Sequence, residues 1–156
     1  MYLFNDYLLF LIYVTFLILV STIKKHLYIL KKIWTNGCFD ILHIGHIKIL
    51  EAAKSRGDYL VVGIDSDKRV KNLKGSNRPF NSEKDRKDFL TSIKYVDEVV
   101  IFNSSEELEE SIKLNEISEI VVGEEYKDRE VIGSIHAPVF FFPRIGDHST
   151  TKILER

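Results

Sequence analysis

From Ile33 onward, short apolar runs alternate with helix-period segments, and that alternation leaves few folds open to the chain. Tyr59 to Asp65 (YLVVGID) is too short for a typical helix and apolar on both sides of the pleat, so both of its faces must be covered. Ile33 to Asn36 reads as a second buried strand, and between the two Gly45 to Ser55 places Ile47, Leu50 and Ala53 at helical spacing. This is a β-α-β unit. Asn81 and Ser82 open a further helix, with Ser82 to Asp85 resembling a capping box and Phe89, Leu90 and Ile93 as the apolar face. Val99 to Phe102, Ile120 to Val122 and Val139 to Phe142 supply three more strands, and Glu106 to Leu114 a third helix. The expectation is an α/β fold: a mostly parallel sheet of about five strands, helices on both faces, and ligands gathered at the carboxyl ends of the strands. Ser66 to Phe80 reads as a long polar loop beside that edge, and long loops in compact domains are often functional.

The first 31 residues are a different material. Tyr7 to Ile23 (YLLFLIYVTFLILVSTI) carries no charge and is followed at once by Lys24 and Lys25. Such a run meets the lower limit for a membrane span, and the basic residues after it would hold the following domain on the cytoplasmic side. A buried or oligomer-forming helix, or an extension from an upstream start codon, are the alternatives. The expected division is residues 1–31 as a hydrophobic N-terminal helix and possible membrane anchor, and residues 32–156 as the working domain.

Charge excludes one class of partner. Over 156 residues, 22 Lys plus Arg against 23 Asp plus Glu leave a net charge of -1, so no global field attracts nucleic acid. One cysteine, Cys38, rules out an internal disulfide framework and a Cys-rich zinc site.

The most informative stretch is the first strand-to-helix junction, Thr35 to His46 (TNGCFDILHIGH), where two histidines flank Gly45 at a helix start. A helix N-terminus presents unpaired N–H groups and about half a positive charge, so phosphate is the expected guest. Gly45 lets a ligand approach the backbone, and both imidazoles can donate to phosphate oxygens. Structural histidines, or a partial metal site with Cys38 as third ligand, are the alternatives. After the second strand, Lys68, Arg69, Lys71, Lys74 and Arg78 fall within eleven residues, which suits either a polyphosphate clamp or solvated lysines. Arg86 would ordinarily be a surface charge. Near the C-terminus, Pro143-Arg144 follows the last strand, and Ser149 and Thr150 look like an N-cap. The Walker A, Gly-x-Gly-x-x-Gly and Gly-x-Ser-x-Gly patterns are absent.

Taken together these motifs resemble the cytidylyltransferase-like nucleotidyltransferase family, with its His-x-Gly-His turn and Rossmann-like sheet. The resemblance runs from about Lys32 to Arg156. Thr35 to His46 matches the first motif, Lys74 to Pro79 (KGSNRP) a Lys-Gly-x-x-Arg-Pro loop, Arg86 a second-helix arginine, and Ser149-Thr150-Thr151 a terminal Ser-Thr-Thr.

The resemblance implies transfer of a nucleotidyl group from a nucleoside triphosphate to a phosphorylated small molecule, with release of pyrophosphate. It implies His43, His46, Lys74 and Arg86 as the catalytic set, with Thr35, Asn36, Gly37, Phe39, Asp40, Gly45, Arg78, Gly123, Arg144, Ser149 and Thr150 binding the nucleotide. Mg²⁺ is the implied cofactor, with Asp40 as its protein contact, and a homodimer the implied assembly. Two subfamilies compete. The Lys74 to Pro79 loop and Asp65-Ser66-Asp67 resemble the nucleotidyltransferase domain of ADP-heptose synthase, which uses ATP and also carries a sugar-kinase domain for which this chain has no room. Lys94 to Val99 and Pro143-Arg144 with Ser149 to Thr151 resemble glycerol-3-phosphate cytidylyltransferase, which uses CTP, but the Thr-Glu-Gly-Ile run expected before Ser149 is replaced by Ile145 to His148. The loop and that replacement favour ATP. A degenerate member that binds nucleotide without turning it over is the non-enzymatic alternative. Base selection is expected from the loops Gly123 to Tyr126 and Ile145 to Ser149.

Overall fold

The computed structural model describes residues 10–21 and 30–145. Two compact units divide the chain, Met1–Leu30 and Lys31–Arg156.

In the first unit, residues 10–21 are helical. Among the described residues no helix is long and apolar enough to cross a membrane. The ends of the Tyr7 to Ile23 run, residues 7–9 and 22–23, lie outside the described residues.

The second unit is a parallel sheet of β1 (Lys32–Gly37), β2 (Tyr59–Asp65), β3 (Glu98–Phe102), β4 (Glu119–Gly123) and β5 (Val139–Phe142). The strand order is β3-β2-β1-β4-β5, with every neighbouring pair parallel. Four helices connect the strands: α1 (Ile44–Lys54), α2 (Asp67–Lys74), α3 (Glu83–Thr91) and α4 (Ser105–Leu114). The chain leaves β1 toward β2 on one side and returns to β4 on the other, which puts the switch point at the carboxyl ends of β1 and β4.

The period-two pattern of the strands makes two cores. Ile33, Leu60, Val62, Ile64 and Val121 face Leu50 and Ala53 of α1 and Leu90 of α3. Trp34, Val61, Phe102, Ile120 and Val122 face Leu108 and Ile112 of α4 on the opposite side. Both faces are covered, as the apolar runs required.

Two details depart from the sequence reading. Ser66 to Phe80 is not a continuous loop, because Asp67–Lys74 is helical. Ser66 caps this helix by accepting from Arg69 N, Asp67 lies in its first turn, and Lys71 and Lys74 lie in its last, which suits the helix dipole. Only Val70 is buried, so the segment carries no apolar stripe for a periodicity argument to find. In α3, Leu90 is buried but Phe89 is 47% exposed, so the apolar face is narrower than expected.

Candidate active site

The site is built on the turn between β1 and α1. Asp40 and Phe39 are buried, and Phe39 adopts the left-handed region with φ of 48°, a conformation that a bulky residue holds only where its surroundings enforce it. Gly37 lies under the Phe39 ring, where a Cβ would come within 3.3 Å of it. His43 is the N-cap of α1, and no acidic residue occupies the first turn of that helix, so its positive end is left for an anion.

The two imidazoles stack, with centroids 3.9 Å apart and planes 24° apart, and the Phe39 ring tilts against His46 at 5.1 Å. Gly45 permits this, since a Cβ there would sit 3.0 Å from the His43 ring. The backbone N–H of His43 donates to His46 Nδ1 at 3.4 Å. That contact makes Nδ1 an acceptor and leaves the proton on Nε2. Burial, then the neighbouring His43, then the Lys74 ammonium push the His46 pKa down to about 4, so near pH 7 it is a neutral donor. Lys74, the last residue of α2, is therefore near enough to act on the histidine turn, and it acts on Cys38 as well. Burial leads in raising the Cys38 thiol, which fits a small apolar filler better than a ligand or nucleophile.

Asp40 ties the turn to the loop after α2. Its Oδ2 accepts from Arg78 Nε at 2.9 Å, Arg78 Nη2 at 2.7 Å and Phe80 N at 2.9 Å, while Oδ1 accepts from Asn81 N at 2.8 Å. The Asn81 amide also donates to Asp40 O. Burial works to raise the Asp40 pKa, but the Asn81 and Phe80 amides and the Arg78 guanidinium outweigh it and hold the carboxyl below its usual range. The Asp40 carboxylate thus holds the 78–81 segment. Among the described residues no group of three or more His, Cys, Asp or Glu could hold a metal ion. Arg78, in turn, gives its Nε and Nη2 to Asp40.

Arg86 is also corrected. It is fully buried rather than a surface charge, and its guanidinium donates to Asn81 O at 3.1 Å, Cys38 O at 2.7 Å and Asp67 Oδ1 at 2.8 Å. It joins the histidine turn, α2 and the start of α3, a positioning role that uses all three guanidinium nitrogens. Arg69 lies against Asp65 at 2.8 Å and over the Phe102 ring.

The other expected binding residues lie along the same edge. Thr35 is buried in β1, and its Oγ1 has no hydrogen-bond partner among the described residues. Asn36 follows it, half-buried, with Oδ1 accepting from Trp34 Nε1 at 3.0 Å. Gly123 ends β4 and leads into a 3-10 turn, Glu124–Tyr126. Arg144 is exposed just beyond β5. Ser149 and Thr150 lie outside the described residues, as does the Gly146 to Ser149 part of the expected base loop. Sequence reasoning missed the Asp40 hub and the Trp34 to Asn36 bond. The hub left no local signal, because the partners of Asp40 lie 38 to 41 residues away.

The cytidylyltransferase-like family model matches residues 34–156. The chain belongs to that family. It is 47% identical over 125 residues to the bifunctional protein HldE of a Nitratiruptor species, covering 80% of this chain and 27% of that protein. It is 44% identical over 125 residues to the HldE of Campylobacter fetus subsp. fetus, with the same coverage. The chain thus spans about a quarter of the length of the curated relatives it matches. A crystal structure of the lipopolysaccharide core biosynthesis protein from Thermoplasma volcanium aligns with a TM-score of 0.59 at 24% identity, over 77% of this chain and 99% of that one, which shows the shared fold.

Proposed function

We propose that this chain is a nucleotidyltransferase of the ADP-heptose type, joining AMP from ATP to a heptose 1-phosphate. The observation that carries the proposal is the pair of stacked imidazoles at the N-terminal end of α1. A phosphate oxygen of the acceptor attacks the α-phosphorus of ATP. The new P–O bond forms as the bond from the α-phosphorus to the bridging oxygen breaks, and pyrophosphate leaves with the electron pair. A phosphate monoester is already an anionic nucleophile near neutral pH, so the protein's task is positioning and charge stabilisation rather than proton abstraction. His46, neutral with its proton on Nε2, donates to a phosphate oxygen without repelling the neighbouring cations. His43 and the helix end supply further donors, and Lys74 supplies full charge.

Asp40 and Arg86 act through other residues. They hold the segment after α2 against the histidine turn. Mg²⁺ enters the proposal only as the counter-ion of the triphosphate, and no step is assigned to it. Similarity to HldE proteins at 44–47% identity supports the heptose acceptor and ATP. A homodimer is proposed from the family resemblance and is checked by sizing in solution. The test of the reaction is pyrophosphate release from ATP or CTP with heptose 1-phosphate or glycerol 3-phosphate. Turnover confined to ATP with the heptose supports the reading, and a preference for CTP with glycerol 3-phosphate contradicts it.

A further inference from the structure

The histidine turn and Lys74 account for phosphate, but not for a polar unit on the other face of the sheet. In β1 the side chains of Trp34 and Asn36 share the face that α4 covers, and Trp34 is fully buried there. The Trp34 indole donates from Nε1 to Asn36 Oδ1 at 3.0 Å. An indole nitrogen can only donate, so the atom it meets must be the amide oxygen, and the orientation of the Asn36 amide is settled by chemistry. Its Nδ2 then points away from the indole with two N–H donors, and no acceptor among the described residues meets them.

The unit is built rather than incidental. Asn36 pairs in register with Gly63 of β2, and a Cβ on Gly63 would lie 2.3 Å from Trp34 Cζ2 and 3.1 Å from Asn36 Cβ. Only glycine leaves room for the indole to lie there and hold the amide. Asn36 is half-buried at the carboxyl end of the central strand, beside the switch point where ligands of such sheets collect. Asp65, two residues beyond Gly63 on the same face of β2, is already committed to Arg69 at 2.8 Å. A fixed neutral donor suits a neutral oxygen, because pairing it with a hydroxyl avoids desolvating a charge.

We propose that Asn36 is a specificity-determining residue, locked by Trp34 over Gly63 so that Nδ2 donates to a hydroxyl oxygen on the uncharged part of a bound substrate. This rests on the nucleotidyltransferase reading and deepens it. The hydroxyl belongs either to the ribose of the nucleotide or to the acceptor sugar, and the two are separated by which analogue loses its partner.

The experiment uses Asn36→Asp, which keeps an oxygen for the Trp34 indole and removes both N–H donors. Pyrophosphate release is followed for wild type and variant with ATP, 2′-deoxy-ATP and 3′-deoxy-ATP against heptose 1-phosphate, and with ATP against monodeoxy analogues of that sugar phosphate. Wild type is expected to disfavour one analogue by about tenfold in kcat/KM, the value of one hydrogen bond, and the variant to treat that analogue and its parent alike. A ribose analogue or a sugar analogue answering in this way identifies the source. If the variant fails to fold, Trp34→Phe carries the test, since it keeps the donors but releases the amide, and the same discrimination should shrink. Wild-type ratios retained in a folded Asn36→Asp, or in Trp34→Phe when it stands alone, overturn the proposal, as does a wild type that rejects no analogue. A wild type inactive with every substrate pair overturns the nucleotidyltransferase reading itself, and the donor with it.

Discussion

The Asp40 carboxylate grips the Arg78 guanidinium at 2.9 and 2.7 Å while accepting from two backbone amides of the segment that follows Arg78, and in doing so it fastens the loop after α2 to the turn that carries the histidines. Buried charge-assisted bonds of this kind are costly to break one side at a time. Asp40→Asn should therefore lose about 2 kcal/mol or more of stability, read as a lower midpoint in urea, because an amide cannot offer two anionic oxygens to four donors. Its KM for nucleotide should rise as well, since the loop after α2 is no longer fastened to the turn that carries the imidazoles. An unchanged midpoint would show that the Asp40 hub is dispensable.

Arg86 reaches three separate segments through one planar group, with donors to Cys38 O, Asn81 O and Asp67 Oδ1. Lysine keeps the charge but cannot reproduce that fork. Arg86→Lys should fall in stability by about 3 kcal/mol, and kcat should fall with it. A stable variant of normal kcat would remove Arg86 from the positioning frame.

For His46 the pH dependence has a definite sign. Its folded pKa of about 4 lies below the ordinary 6.5, so between those values the unfolded chain binds a proton that the native state refuses. This contribution is complete above pH 6.5 and is lost progressively as pH falls toward 4, by up to about 3 kcal/mol. Urea midpoints measured from pH 7 to pH 4 should drop more steeply for wild type than for His46→Gln, which has no proton to gain. Parallel curves would mean that His46 titrates normally.

The sheet was legible because its strands are short apolar runs: Tyr59–Asp65 and Val139–Phe142 lie where those runs lie, and the remaining strands differ by a residue or two at their ends. The helix α2 was hidden, because a helix held by the Ser66 cap, terminal charges and the single buried Val70 leaves no periodic signal. In the site, the histidines could be read because the chemistry lies within four residues of chain. The roles of Asp40, Arg78 and Arg86 could not, since each depends on partners 19 to 48 residues away, and a charged residue looks the same in sequence whether it meets a substrate or another side chain.

The central claim is that the stacked imidazoles stabilise phosphate charge as a nucleotidyl group moves, and kcat for pyrophosphate release from ATP and heptose 1-phosphate tests it most directly. His43→Ala and His46→Ala should each lower that kcat by about 10²-fold or more while remaining folded, as expected when one preorganised donor is lost. Folded variants that release pyrophosphate at the wild-type rate would contradict the assignment of the active site.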